Sequence, residues 1–376
     1  MMQLICFEVK KMLRRPLVWA ALTGLVSFIA LMEYSWVVPG YASIQMEEAG
    51  QLTTIEGFDA ISVDQEICAA YHGPLTDEKV RSVIENYDIP DSVWEARKID
   101  PSREMHYTHN LMYSILSVHG FLNLDGSYSG STVAETFGSL APELVIGYST
   151  GWECTIYLLL YSFLLWGCIL VIIVAPVFSE EYTIHMDALI LTGIHGRRKC
   201  TMAKIISSFL ITITGSVLLL AVCTLLLLTV HGSMGWDCSV QLGELAYFDH
   251  VPYHLNWLQI YGLSCLAWFG GMLVLTSIVL VVSALGKSSF SALVIAFVIY
   301  AVPLFLPWNL LPESLSLWGY LLPITQMQLI RLFRFDLITL GSLTFPPVYL
   351  AIPITVIALI VGVLWSRKGF SQHQVV

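Results

Sequence analysis

Gly286-Lys287-Ser288 has the residue types that end a phosphate-binding loop, where backbone amides and a lysine hold nucleotide phosphates. Such a loop also needs a glycine at position 281, and this chain has Val281 there. It further needs a preceding strand, whereas a long apolar run precedes it here. No other Walker-type or dinucleotide pattern occurs in the sequence. We therefore predict that this chain binds no nucleotide cofactor.

Two groups of side chains have a spacing that allows a metal to be shared. One is His106 with His109, and the other is Asp249 with His250 and His254. Imidazoles at i, i+3 or i, i+4 can bind one metal. HExxH is absent and no further ligands stand out, so the alternative is that these histidines are solvated or hydrogen-bonded. We predict no metal site.

The eight cysteines show no CxxC spacing, which argues against a zinc or redox motif. Cys68 and Cys238 lie outside the apolar runs and are candidates for a disulfide in an oxidising compartment, although the sequence does not show that they are close. No serine stands in a GxSxG elbow, and no nucleophile–base pair is apparent. We predict that the chain has no catalytic residues and is not an enzyme by itself.

The composition places these residues in a membrane protein. Hydrophobic residues make up 56% of the chain and charged residues 12%, with a mean hydropathy of +0.72. Soluble proteins carry roughly twice that charged fraction. The net charge of -10 argues against nucleic acid as a partner, because no basic surface is available to neutralise phosphates.

Six apolar runs predict an all-α membrane protein with six transmembrane helices. They cover residues 16–38, 152–178, 203–230, 257–285, 289–306 and 348–366. The first run is longer than the apolar part of a signal peptide and no A-x-A site follows it, so we predict a retained anchor. Glu33 and Tyr34 lie near its outer end. Glu33 either faces a pathway within the bundle or reaches water at the interface.

The connecting segments differ in character. Residues 39–151 contain 17 acidic and 5 basic residues and predict a mostly helical extracytoplasmic domain between the first and second spans. Residues 1–15 fit an amphipathic helix at the inner lipid surface or an ordinary positive flank. Residues 307–347 fit an outer re-entrant segment or an amphipathic surface helix. The other segments are 179–202, an outer loop at 231–256 and a tail at 367–376.

Cations set the predicted orientation. With the N-terminus inside, the inner segments hold eleven of the eighteen Lys and Arg residues in the shorter total length of loop. Both termini and the segment 179–202 are then cytoplasmic. Ser179 can cap a helix there, and one face of that helix would be apolar. This face either enters a groove of a partner protein or lies on the lipid or the bundle.

The same segment resembles the signature of ABC-2-type permeases, an ATP-binding-cassette exporter family. The residues that carry the resemblance are Glu181, Leu189-Ile190-Leu191, Arg197 and Ala203-Lys204. In that family an arginine follows the glutamate by sixteen residues, and a small residue plus lysine comes seven further on. Glu181 to Arg197 and Arg197 to Lys204 reproduce both spacings. His185 stands where the family has glycine, and Ile194 where it has proline.

The resemblance implies a permease subunit in a bacterial plasma membrane. It would export a peptide, lipid or drug-like substrate together with a second permease, identical or homologous, and cytoplasmic ABC ATPase subunits that bind ATP and Mg²⁺. Segment 179–202 would contain the coupling helix. The docking residues implied are Glu181, Met186, Leu189, Ile190, Arg197 and Lys204. The alternative function is a membrane-anchored sensor or binding subunit whose outer domain recognises an extracellular ligand.

Overall fold

A computed structural model describes most of the chain. The described residues are 1–38, 42–48, 51–87, 120–121, 123, 128–193, 196–243, 251–306, 311–312, 319, 321–325, 338–340 and 343–371. His106, His109, Asp249 and His250, most of segment 307–347 and Ile194 of the family signature lie outside them.

Helices dominate these residues. They are α1 (Met2–Leu13), α2 (Pro16–Val37), α3 (Phe58–Tyr71), α4 (Asp77–Tyr87), α5 (Val133–Phe137), α6 (Thr150–Val174), α7 (Pro176–Thr183), α8 (Asp187–Thr192), α9 (Thr201–Val230), α10 (Trp257–Leu285), α11 (Ser289–Phe305) and α12 (Pro347–Ser371). Short strands form three antiparallel pairs: β1 (Ser43–Glu48) with β2 (Gln51–Glu56), β3 (Gly73–Pro74) with β4 (Val145–Ile146), and β5 (Ile338–Leu340) with β6 (Leu343–Phe345).

Within the described ranges, five helical stretches are long and apolar enough to cross a membrane. They are Pro16–Val37, Thr150–Thr183, Arg198–Val230, Trp257–Leu285 and Tyr349–Phe370. Helices suit this role because each backbone polar group is satisfied within the segment. The all-α membrane class is confirmed in this form. α11 has 17 residues, and its ~26 Å length falls slightly short of a ~30 Å hydrocarbon core, so the sixth span stays a prediction.

The chain divides into two compact units. The first unit comprises Met1–Ile29, Leu159–Ala221 and Ser264–Val376, and the second comprises Ala30–Leu158 and Val222–Leu263. In the first unit, aromatic rings pack where a neighbouring helix has glycine. Trp166 of α6 lies against Gly215 of α9, and Tyr300 of α11 lies against Gly167 of α6. Small residues allow such close approach between membrane helices.

The second unit has its own buried core, which includes Cys68, Phe121, Leu144 and Tyr148. Its local structure differs in part from the prediction of a mostly helical domain. The described residues of 39–151 begin with the β1–β2 hairpin, in which Ile44 pairs with Ile55. β1 alternates polar and apolar residues over its first five positions, a signal that the prediction of a mostly helical domain missed, whereas β2 shows no such alternation.

Helix caps fix the remaining elements of the second unit. Thr132 and Glu135 form a capping box at the start of α5. The Asp77 carboxylate, in the first turn of α4, accepts a 2.7 Å hydrogen bond from the Val133 backbone N–H. Lys79 Nζ donates to the carbonyls of Tyr71 and His72 at the end of α3. These polar contacts join three helices whose apolar side chains also share the buried core of the unit.

His231 is a buried titratable group of the second unit, with 4% of its surface exposed. Its Nδ1 lies 2.9 Å from the Tyr148 hydroxyl. Its Nε2 has no hydrogen-bond partner among the described residues. Burial lowers the pKa of His231 to about 4, because the protonated ring would lose its hydration without gaining a carboxylate.

We expect this histidine to make the protein less stable at mildly acidic pH. Since its folded-state pKa is below its unfolded value, its contribution is fully present above pH 6.5 and is lost as pH falls towards 4. The loss between pH 7 and pH 5 is expected to be about 2 kcal/mol. Thermal unfolding in detergent at both pH values measures it, with His231→Gln as the comparison. An equal loss of stability in His231→Gln would contradict this origin.

The disulfide suggested for Cys68 and Cys238 is not formed in the structure. Both residues are buried in the second unit. The Cys68 thiol contacts the Asp64 carboxylate at 3.4 Å. Burial, reinforced by the Asp237 charge, raises the pKa of Cys238 to about 12. Because thiol–disulfide exchange needs the thiolate, Cys238 is poorly prepared for that reaction at neutral pH.

Candidate functional site

α7 lies where many helices of the first unit meet. The helix begins after a break between Val174 and Pro176, so its first backbone N–H groups lack acceptors within the helix. The hydroxyl of Ser283, near the end of α10, accepts hydrogen bonds from the N–H groups of Phe178 and Ser179 at 2.9 and 3.2 Å. A side chain of one helix therefore caps the start of another.

Further contacts attach α7 to α10, α11 and α12. The Tyr182 hydroxyl donates to the Ala284 carbonyl at 3.1 Å. The Thr183 hydroxyl accepts from the backbone N–H of Ser289, the first residue of α11, at 3.1 Å. The ring of Phe370 in α12 lies 4.6 Å from that of Phe178 and 5.9 Å from that of Tyr182. α7 is therefore held from several sides by the ends of other helices.

Charged side chains from three segments meet beside α7, and we call this group the ion cluster. Its members are Glu8 and Lys11 of α1, Arg15, Glu180 and Glu181 of α7, and Lys204 of α9. Lys204 Nζ lies 2.8 Å from Glu181 Oε1 and 3.1 Å from Glu8 Oε1. Lys11 Nζ also lies 2.8 Å from Glu181 Oε1. Glu181 therefore bridges lysines of α1 and α9.

The outer part of the ion cluster is formed by Glu180. Its Oε2 lies 2.7 Å from Arg15 Nη2 and 3.3 Å from Lys11 Nζ. Arg15 also donates to the Ile173 carbonyl at 3.1 Å, next to the break before α7. The three carboxylates and three cations balance in formal charge.

Burial differs across the ion cluster. The Lys204 side chain is 1% exposed and that of Glu181 is 7% exposed, whereas Glu180 is 32% exposed. Burial alone would lower the pKa of Lys11, but the hydrogen bond and charge of Glu181, together with Glu180, outweigh it and raise that pKa. Lys11 therefore stays protonated at neutral pH. Buried ions need such partners, since an unpaired charge in this environment is costly.

The structure corrects the prediction of one helix starting at Ser179. Ser179 lies inside α7, buried, and its hydroxyl donates to the Ala175 carbonyl instead of capping. α7 ends at Thr183, and His185 has a φ of 55°. This left-handed conformation favours glycine, the residue that the resembled family has at this position. α8 then begins at Asp187 and ends at Thr192.

The predicted docking residues fall into two groups. Glu181 and Lys204 are buried and paired with each other, so they are not available to a partner surface in this structure. Met186 and Leu189 are 40% and 67% exposed, and Ile190 is half-buried. Arg197 lies in a π-helical turn, Gly196–Cys200, and its side chain is outside the described part.

The other sequence-predicted positions lie away from this group. Glu33 is half-buried and Tyr34 is 66% exposed, both in the last turns of α2. Four members of the ion cluster were not predicted as site residues: Glu8, Lys11, Arg15 and Glu180. A usable signal was present, because an acidic pair at 180–181 and cations in the first fifteen residues are complementary.

The comparison with protein families decides the class. The sequence model described as ABC-2 family transporter protein matches residues 2–333. The chain belongs to this family. The matched range contains the whole ion cluster and segment 184–192. Comparison with curated proteins and with solved structures gives no match.

Membership of the ABC-2 family makes this chain a multi-pass membrane protein and a membrane component of a transporter. The family implies association with an ATPase subunit. The resemblance noted from Glu181, Arg197 and Lys204 is thus confirmed at the level of the family. In this ABC-2 protein, two of those three residues serve the internal packing of the site.

Proposed function

We propose that this chain is the permease subunit of an exporter and that a separate cytoplasmic ATPase docks on segment 184–192. The observation that carries the proposal is the exposure of three large apolar side chains, Ile184, Met186 and Leu189, next to α7. Apolar side chains grouped on a short helix and on the residues just before it suit insertion into a groove of a partner protein. Between Ile184 and Leu189 the sequence has one acidic residue, Asp187, and no lysine or arginine.

The contacts of α7 support a mechanical role for that docking. A displacement of segment 184–192 would act on α7, which is tied to α1 and α9 by the ion cluster and to α10 by Ser283. Packed helices with discrete contacts move as rigid bodies and do not deform gradually. ATP-bound and ATP-free states of the ATPase would favour different positions of this group of helices, and the substrate path would open to alternate sides.

The same contacts support the proposed orientation. One group of contacts brings together α1, α7, the end of α10, the start of α11 and the end of α12. These segments therefore share one side of the membrane, as six crossings with both termini in the cytoplasm require. α11 starts on that side, which supports its role as a crossing helix despite its 17 residues. Positive residues in α1 and at 197–199 favour the cytoplasm.

Leu189→Asp is expected to weaken ATPase binding roughly 30-fold, since about 2 kcal/mol of apolar burial is lost. Leu189 is 67% exposed, so the change removes little internal packing and the protein should still insert. The measurement is co-purification of the ATPase subunit from the native host, together with the affinity of the two purified components.

Phe58→Asp is the matched control. Phe58 is 62% exposed in the second unit and at the start of α3, where an aspartate is well tolerated. In the proposed orientation it faces away from the cytoplasm and should leave ATPase binding unchanged. Wild-type ATPase binding by Leu189→Asp would exclude docking at segment 184–192. A protein that brings down no ATPase at all would count against the permease function itself.

A further inference from the structure

Three side chains of metal-binding types meet in the second unit, at residues that no metal-binding sequence motif marks. They are His72, Asp237 and Cys238, and their ligand atoms all lie within 4.8 Å of one another. His72 Nε2 lies 3.0 Å from Asp237 Oδ2. His72 is 165 residues away from Asp237 in the sequence. Local spacing rules for zinc ligands therefore miss this group.

Hydrogen bonds to their backbone groups hold His72 and Cys238 in place. His72 follows α3 and precedes β3, and Lys79 binds its carbonyl. Cys238 is held by its N–H, which donates to the Gly235 carbonyl at 3.1 Å, and by its carbonyl, which accepts from the Trp257 N–H at 3.1 Å. Next to it, the Ser239 N–H donates to the Val145 carbonyl of β4 at 2.9 Å. Ligands on fixed backbone keep their geometry better than ligands on free loops.

Gly147 makes room for two of the ligands. A Cβ at this position would lie 2.8 Å from Cys238 Sγ and 2.9 Å from His72 Cδ2. Distances below 3.0 Å are not compatible with a real side chain, so any residue other than glycine would displace the thiol or the imidazole. The approach of His72 to Cys238 thus depends on a glycine that follows β4 directly.

The ligand chemistry selects the metal. A thiolate, an imidazole and a carboxylate together suit Zn²⁺, which binds S, N and O ligands tetrahedrally. Mg²⁺ and Ca²⁺ prefer sites made of oxygen ligands. The His72 and Asp237 side chains are 42% and 30% exposed, so a fourth position would face solvent. Three protein ligands with one open position are typical of zinc sites that bind water or an external group.

We infer that His72, Asp237 and Cys238 form a Zn²⁺ site with one open coordination position. Binding converts the Cys238 thiol to a thiolate, and the released proton passes to solvent. The site ties the end of α3 to the segment before α10, both within the second unit. It does not depend on the proposed ATPase docking, so either proposal can fail without the other.

Titration of the full-length protein in detergent with Co²⁺ tests the inference, with Zn²⁺ then used to displace the cobalt. One Co²⁺ per chain and a thiolate-to-cobalt charge-transfer band are expected. Cys238→Ser should abolish that band, and Asp237→Asn should weaken binding more than the ~10–100-fold that loss of an outer-shell partner costs. Because the Asp237 side chain is part-exposed, Asp237→Asn should fold normally. It therefore tests the site even if Cys238→Ser folds poorly.

Two variants serve as matched controls. Cys68→Ser removes another buried thiol of the same unit, and His254→Ala removes another histidine paired with a carboxylate, that of Glu143. Both should bind Co²⁺ as the wild type does. The inference is overturned if the wild type binds no Co²⁺, or if the charge-transfer band persists in Cys238→Ser; its disappearance in Cys68→Ser would assign the thiolate ligand to Cys68 instead and overturn the inference as well.

Discussion

Gly235→Ala is expected to prevent stable folding of the second unit, at a cost above about 4 kcal/mol. Gly235 has a φ of +81°, and a Cβ there would overlap the carbonyl oxygen of Tyr148. The clash is with backbone, so no rotamer change can relieve it. Tyr148 itself is 1% exposed in the core of the unit and cannot move outward without opening that core. The yield of monodisperse protein and its thermal unfolding midpoint in detergent measure the effect.

Gly232→Ala separates this clash from backbone strain. Gly232 has a similar φ of +71°, yet no atom of the described part of the chain lies within 4 Å of a Cβ built on it. The substitution should therefore cost only the ~1–2 kcal/mol that a left-handed conformation imposes on alanine. If the two variants lose the same stability, the close approach of Gly235 to Tyr148 is not the reason why position 235 requires glycine.

Hydropathy alone located the long helices because the bilayer imposes their length and composition. The predicted run 257–285 has the bounds of α10, and the run 203–230 lies within α9. The break between α6 and α7 was harder to predict from the sequence. Pro176 marks it in the sequence, but the serine hydroxyl that stabilises the new helix start comes from residue 283. No local rule indicates that pairing.

The sequence indicated only some of the contacts that the structure shows around α7. Lys204 stands at the start of a long apolar run, which signals that it needs a partner. The family spacing pointed to Glu181, but it did not predict that Glu181 pairs with Lys204 and with Lys11. Lys11 is 170 residues from Glu181, so this contact depends on how the helices pack and not on local periodicity. The exposed residues Met186 and Leu189 were predicted from their apolar character.

Glu181→Gln is expected to destabilise the protein by about 3 kcal/mol, with loss of folded material at physiological temperature. The neutral amide has the size of the carboxylate, so the change removes charge without creating a cavity. Among the described residues, Lys204, whose side chain is 1% exposed, would keep Glu8 as its one carboxylate partner, at 3.1 Å. A buried cation with too few carboxylate partners destabilises the folded protein. Thermal unfolding in detergent measures this loss of stability.

Glu180→Gln is the matched control, because it makes the same chemical change one residue earlier. The Glu180 side chain is 32% exposed, and its ion pairs with Lys11 and Arg15 are reached by solvent, so its loss should cost less than about 1 kcal/mol. The exchange Glu181→Lys with Lys204→Glu should restore part of the stability that Glu181→Lys alone removes, since opposite charges meet again. If Glu180→Gln and Glu181→Gln are equally stable, burial of the Glu181–Lys204 pair does not set the energy of the ion cluster. α7 would then owe its position to Ser283 and Phe370 more than to charge.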